Sequence, residues 1–219
     1  MANEILTIIG MGQGISLAVA KRFAKEGFTV AMVSRTEEKL EYNQTELKKL
    51  GYDAHYFVAD ACSEESLKSA MSEIKSNLGD TNVLLYNAAN GVAAFPSQIS
   101  FDDLVNDFKV NVAGALIATQ QVLPAMAAEK KGTILYTGGG LSIRPYKDYA
   151  SLAIGKAGIR SLAHTFAQEL KSEGIHVATV TVREFVRSYH EKYNPTSIAE
   201  EFWKLHIQPK GKFKTEVIY

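Results

Sequence analysis

The chain has 219 residues, 46% of them hydrophobic, which is enough for one substantial core and short for two domains. Lys plus Arg and Asp plus Glu both number 24, so a formal net charge of zero gives no electrostatic reason to expect a nucleic-acid or acidic-membrane partner. The lone Cys62 has no partner for an internal disulfide, which fits a cytoplasmic protein, and Met1-Ala2-Asn3-Glu4 lacks the basic character of a leader ahead of an apolar run too short for a bilayer.

Short apolar runs alternate with longer amphipathic stretches, and no repeat or low-complexity linker interrupts them. Strands are expected near 5–10, 28–33, 53–59, 82–87, 132–137 and 175–181. Helices are expected between them near 14–26, 36–50, 63–78, 101–129 and 149–173, with Thr36 and Ser63 placed as caps. Strict alternation of strand and helix implies right-handed crossovers and a parallel sheet covered on both faces. The expected fold is therefore α/β, a doubly wound parallel sheet of Rossmann type forming one domain over 1–219, with its ligand crevice at the carboxyl ends of the strands. After the sixth strand a polar connection, 183–194, leads to Pro195 and a last helix to about His206. Ile198, Phe202 and Leu205 sit there at helical spacing, and a short tail completes 195–219.

The first strand ends in Gly10-Met11-Gly12-Gln13-Gly14, and a helix starts at Ile15. A strand that breaks on glycines and resumes as a helix aims free backbone N–H groups and the positive helix end at one point, which suits a pyrophosphate. The plainer alternative is a turn that merely needs positive φ angles. Ser16 is small enough to take the close-packing place of the third glycine in the usual fingerprint. At the end of the second strand, Ser34-Arg35 offers hydrogen-bond donors and a positive charge where an NAD site would carry an acid. A guanidinium there attracts a 2′-phosphate, so NADP is favoured over NAD. Set against this is Arg35 as a solvated surface arginine.

Together these residues resemble the short-chain dehydrogenase/reductase family from about Ile5 to Val180. Gly10, Gly14 and Ser16 are similar to that family's Gly-x-x-x-Gly-x-Gly turn in two of three glycines. Asp60-Ala61 looks like its adenine-contacting site, and Tyr86-Asn87-Ala88-Ala89 like its Asn-Asn-Ala-Gly segment with both ends changed. Asn111, in Val110-Asn111-Val112-Ala113-Gly114, takes the place of the catalytic Asn, expected to support a water. Lys156, in Gly155-Lys156-Ala157-Gly158, takes the place of the catalytic Lys, expected to hold the nicotinamide ribose. The cofactor residues implied are thus Gly10, Met11, Gln13, Gly14, Ile15, Ser34, Arg35, Asp60, Ala61, Asn87, Ala88 and Lys156.

In that family a Tyr stands four residues before the Lys and a Ser thirteen before the Tyr; here those positions hold Leu152 and Gly139. The later Pro-Gly pair is replaced by Val182-Arg183. Losing a positioned general acid costs about 10² to 10⁴ in rate, and losing an oxyanion donor about 10² to 10³ more. Tyr149 is the preferred substitute acid, with Tyr146, Ser142 and Ser151 behind it. It lies on the same helical face as Lys156 but about 10 Å along the axis, and packing at a helix start is its plainer reading. Arg144 and Arg183 would border the same end of the crevice and suit an anionic substrate, with solvated surface as the commoner reading.

His55, His164, His176, His190 and His206 lack metal-ligand spacing, so no metal site is expected. Lys210, Lys212 and Lys214 read as a solvated basic tail. Leu104 to Met126 is apolar on nearly every face, and with the resemblance this implies a homodimer or homotetramer. The leading expectation is an NADP(H)-dependent oxidoreductase of a small carbonyl or alcohol with an altered active site. The alternative is a non-catalytic NADP(H)-binding sensor or scaffold protein.

Overall fold

The computed structural model describes residues 3–219; Met1 and Ala2, part of the segment read as lacking a leader, lie outside the described residues. Strands β1 (Ile5–Ile9), β2 (Thr29–Ser34), β3 (Ala54–Val58), β4 (Val83–Tyr86), β5 (Gly132–Gly139), β6 (Ile175–Val182) and β7 (Glu216–Ile218) form a single parallel sheet in the order β3-β2-β1-β4-β5-β6-β7. The order reverses direction at β1, so the crevice of a doubly wound sheet opens beside the glycine turn. Strands β1, β4 and β6 are buried along their whole length, the signature of a sheet covered on both faces.

Helices α1 (Ile15–Ala24), α2 (Glu37–Lys49) and α7 (Pro195–His206) cover one face, where Leu6, Ile8, Phe23, Leu40, Val180 and Phe202 meet. Helices α3 (Glu64–Asn77), α5 (Gly114–Glu129) and α6 (Ala150–Leu170) cover the other, around Ile9, Leu67, Leu84, Val122, Ile159 and Phe166. The caps differ in quality. Ser63 accepts a hydrogen bond from the Ser66 amide at 3.2 Å, whereas the Thr36 side chain makes none. Asn194 caps α7 by accepting from Ser197 N at 2.9 Å, with Pro195 in the first turn, where its missing N–H costs nothing.

Three expectations about elements are corrected. The helix expected over 101–129 is α4 (Phe101–Phe108), a π-helical turn (Lys109–Ala113) and α5 in succession, and Pro124 sits inside α5. The stretch Phe101–Glu129 is long and apolar enough to cross a membrane by composition, yet Ala115, Ala118, Val122 and Met126 are part of the core. Strand β5 runs on to Gly139, two residues beyond its expected end, pairing with β6 as far as Val182. The tail is not wholly solvated: β7 adds to the sheet beside β6, with Val180 opposite Val217.

Candidate functional site

Gly10 ends β1 at φ +89°, and a Cβ there would lie 2.3 Å from Ala88 N, so both its conformation and its space demand glycine. The turn is tied down from two sides. The Gly10 and Met11 amides donate to Val33 O at 2.9 Å, and the buried Ser16 hydroxyl donates to Gly10 O at 2.8 Å. Asn87 Nδ2 donates in turn to Ser16 Oγ at 2.8 Å. Ser16 therefore does more than fill a glycine's place, since it locks the turn of β1 to the end of β4.

Gly12 and Gly14 behave differently. Neither has a positive φ, and a Cβ on either would meet nothing within 4 Å. Packing within the chain thus leaves open space at both positions, and Gly14, at φ −91° and ψ −121°, has a backbone conformation that side chains disfavour. Gly14 stands at the N-cap of α1 with no capping side chain, and the first amides of the helix to find carbonyls are Leu17 (to Gly12 O, 3.1 Å) and Ala18 (to Gly14 O, 3.2 Å). The preceding amides point out of the helix end, where the macrodipole favours an anion. Gly12, Gln13, Gly14 and Ile15 line a cleft of about 410 Å³ with Asn87, Val186, Ser188 and Pro195, so the segment after β6 faces the turn.

Ser34 ends β2 with its carbonyl accepting from Ala59 N at 3.0 Å, and Arg35 after it is exposed with no ion pair among the described residues. Asp60 follows β3. Its Oδ1 accepts from Cys62 N at 2.9 Å, shaping the loop that carries Ala61. Ala61 O lies so close to α5 that a Cβ on Gly114 would meet it at 2.5 Å.

Asn111 lies in the π-helical turn and is 2% exposed. Its Nδ2 donates to Asn90 O at 2.7 Å and its Oδ1 accepts from Asn90 N at 2.8 Å. Both ends of the amide hold the loop after β4, which leaves one N–H and one lone pair of the side chain unused by these bonds. One turn earlier, Asp107 is 1% exposed and accepts from Asn90 Nδ2 at 2.8 Å, Val92 N at 2.9 Å and the Ser151 hydroxyl. Sequence reading missed Asp107. With Asp102, Asp103, Asn106 and Lys109 around it in the chain, nothing marked Asp107 out; its burial is what demands such donors. Ser151, ranked behind Tyr149 as a proton donor, is committed to Asp107.

Lys156, on α6, donates from Nζ to Thr137 O at 2.9 Å. Burial pushes its ammonium down to about 8, with no carboxylate at hand to oppose the shift. Its stem runs past Gly139, where a Cβ would sit 3.3 Å from Lys156 Cγ and Cδ. Leu152, one turn before Lys156, packs against Gly91, whose added Cβ would meet Leu152 Cβ at 2.8 Å. Tyr149, in a 3-10 turn at the start of α6, is 40% exposed, and its hydroxyl makes no hydrogen bond among the described residues. Tyr146 is exposed as well, while the Ser142 hydroxyl is buried without a partner. Arg144 and Arg183 are both exposed, and their loops touch: a Cβ on Gly140 would lie 2.9 Å from Arg183 Cα. Among the described residues no group of three His, Cys, Asp or Glu side chains is placed to hold a metal ion.

A family model described as short chain dehydrogenase matches residues 4–195. The chain belongs to the short-chain dehydrogenase family. Glucose 1-dehydrogenase of Gluconobacter oxydans is 29% identical over 181 residues, covering 82% of this chain and 68% of that protein. The 2-(S)-hydroxypropyl-CoM dehydrogenase 3 of Xanthobacter autotrophicus is 29% identical over 220 residues, covering 98% and 86%. Among solved structures, a short-chain dehydrogenase from Rhodopseudomonas palustris superposes with a TM-score of 0.88 at 25% identity, covering 99% of this chain and 98% of that one. A metagenomic short-chain oxidoreductase in complex with NADP superposes with a TM-score of 0.90 at 22% identity, covering 100% and 97%, a likeness of fold.

Proposed function

We propose that this short-chain dehydrogenase relative is an NADP(H)-dependent oxidoreductase of a small carbonyl or alcohol, with an altered proton donor. The observation that carries the reading is the open end of α1, where no side chain caps the first amides and a Cβ on Gly12 or Gly14 would meet nothing within 4 Å. Met11, Gln13, Gly14 and Ile15 would receive the pyrophosphate on backbone N–H groups. Ser34 and the unpaired Arg35 would take the 2′-phosphate, which favours NADP over NAD. Asp60, Ala61, Asn87 and Ala88 would line the path between, and Lys156 would reach the nicotinamide ribose. Bound there, the nicotinamide would accept or deliver a hydride. The solved metagenomic relative with NADP supports the cofactor by analogy of fold.

The chain's own part is to orient and to move a proton. With Leu152 and Gly139 where the family has Tyr and Ser, neither position donates to a carbonyl oxygen. Tyr149, whose hydroxyl is uncommitted, is the proposed replacement acid, and Arg144 and Arg183 would favour an anionic substrate. Assembly as a homodimer or homotetramer and a cytoplasmic location complete the reading. Its support is the exposed Ile154 on α6 and the half-buried Leu116, Ile117 and Leu123 on α5.

Calorimetric titration with NADPH and NADH, followed by absorbance at the reduced-nicotinamide band across a carbonyl and alcohol panel, tests it. NADPH binding tighter than NADH, with slow turnover that Tyr149→Phe abolishes, is expected. Failure to bind either coenzyme at millimolar concentration removes the whole proposal, and binding without turnover removes its catalytic half.

A further inference from the structure

At the end of the sheet opposite the glycine turn, where the strands begin, a second cavity of about 230 Å³ is framed by Glu4, Asn82, Lys130, Lys131, His206 and Lys210. Its rim is basic. Lys131 pairs with Glu4, but Lys130 and Lys210 have no ion pair among the described residues. Backbone geometry puts the Lys130 carbonyl beside the end of the Lys210 side chain. Lys130 closes α5 at φ +51°, and Gly174, at φ +77°, has the space for its missing Cβ filled by Lys210 Nζ at 2.6 Å and Lys130 O at 2.7 Å.

The interior supplies neutral donors instead of further charge. Asn82 Oδ1 accepts from Ile5 N at 2.8 Å, which leaves its NH₂ group unused. His206 Nδ1 lies 3.0 Å from the Thr133 hydroxyl, and burial pushes the ring down to about 4, so it is neutral at physiological pH. His176, stacked on Phe213 and fully buried, is lowered in the same direction by burial. Three lysines and one glutamate line the cavity, a surplus of two positive charges at its rim. Cationic ligands are repelled there, and a dianion matches the surplus where a monocarboxylate leaves half of it.

We propose that this cavity is a binding site for a phosphate group, either the free ion or the end of a small phosphorylated molecule, separate from the nucleotide crevice at the other end of the strands.

The test is titration of the ¹⁵N-labelled protein with inorganic phosphate at constant ionic strength, read by amide chemical shifts. Saturable shifts at Gly132, Thr133 and Gly174 are expected. The double variant Lys130→Asn, Lys210→Gln should bind roughly tenfold more weakly, and Glu4→Gln, which removes the one competing carboxylate, several-fold more tightly. Asparagine is chosen at 130 because it accepts a left-handed backbone. A native-like spectrum for each variant shows that the fold is kept. Glycerol phosphate binding more tightly than phosphate identifies the ligand as phosphorylated and larger; equal binding identifies the free ion. Non-saturating shifts, shifts confined to the Gly12–Ile15 turn, unchanged affinity in the double variant, or acetate binding as well as phosphate would each overturn the proposal.

Discussion

Lys156 shows how much one missing side chain changes its neighbours. With glycine at 139 its stem lies along β5 and its ammonium settles on Thr137 O, a place that a hydroxyl side chain at 139 would dispute. The conflict is mild, since a contact of 3.3 Å to a flexible methylene chain is relieved by a few tenths of an ångström. Leu152 already has the Cβ that Gly91 accommodates, so an aromatic ring at 152 changes only the outer part of the side chain. The double substitution Leu152→Tyr, Gly139→Ser is therefore expected to fold. It should raise kcat on a carbonyl panel by about 10² or more, because it restores a proton donor and an oxyanion donor together. NADPH affinity, set at the other end of the crevice by the glycine turn, should stay within about twofold of the parent. Steady-state kinetics with parallel calorimetry check both, and no gain in kcat would mean that the absent hydroxyls are not what limits turnover.

At the scale of elements, α6 approaches the π-helical turn closely enough to require glycine twice. A Cβ on Gly155 would meet Asn111 Nδ2 at 2.4 Å, and one on Gly158 would meet Val112 Cγ2 at 2.7 Å. Gly155→Ala would push Asn111 off Asn90 and loosen the loop that Asp107 also holds. The expected cost is about 1–3 kcal/mol of stability, as for other overpacking changes. The matching measurement is urea denaturation, with faster amide exchange at Asn90 and Val92 as the local sign. None of this was legible beforehand. Asn111 and Lys156 were placed through the family resemblance, but a π-helical turn has the same apolar spacing as the helix around it, and contacts between distant segments leave no period in the sequence. The glycine turn, by contrast, was readable because strand, glycines and helix follow one another directly. Strand β7 escaped notice for a different reason: Glu216-Val217-Ile218 is too short to show alternation, and its place depends on Glu216 meeting Arg160 on α6 and Thr181 on β6.

For the molecule as a whole, the partly buried His206 and Glu216, with the buried His176, predict how folding responds to acid. Their effects fall in separate pH windows. His206 is lowered to about 4 by burial, so as pH falls below the ordinary histidine value near 6.5 the unfolded chain takes up the proton first. The stability present above that value drains away down to about pH 4, and His176 shifts in the same direction. Glu216 is held down to about 2, first by its hydrogen bonds from Arg160, at 2.8 and 2.7 Å, with Thr181 and His164 adding to them. A depressed carboxylate stabilises the fold above its unfolded value near 4.5 and loses that contribution as pH falls towards 2. The urea midpoint should thus be level above about pH 7 and decline in two stages, each worth roughly 1–3 kcal/mol. His206→Asn, which keeps a polar partner for Thr133, should shrink the upper stage to the part His176 supplies and leave the lower one. Glu216→Gln should do the reverse, while lowering stability at neutral pH because Arg160 loses its charged partner. A single decline centred near pH 4 in all three proteins would show that neither group is tuned by the fold.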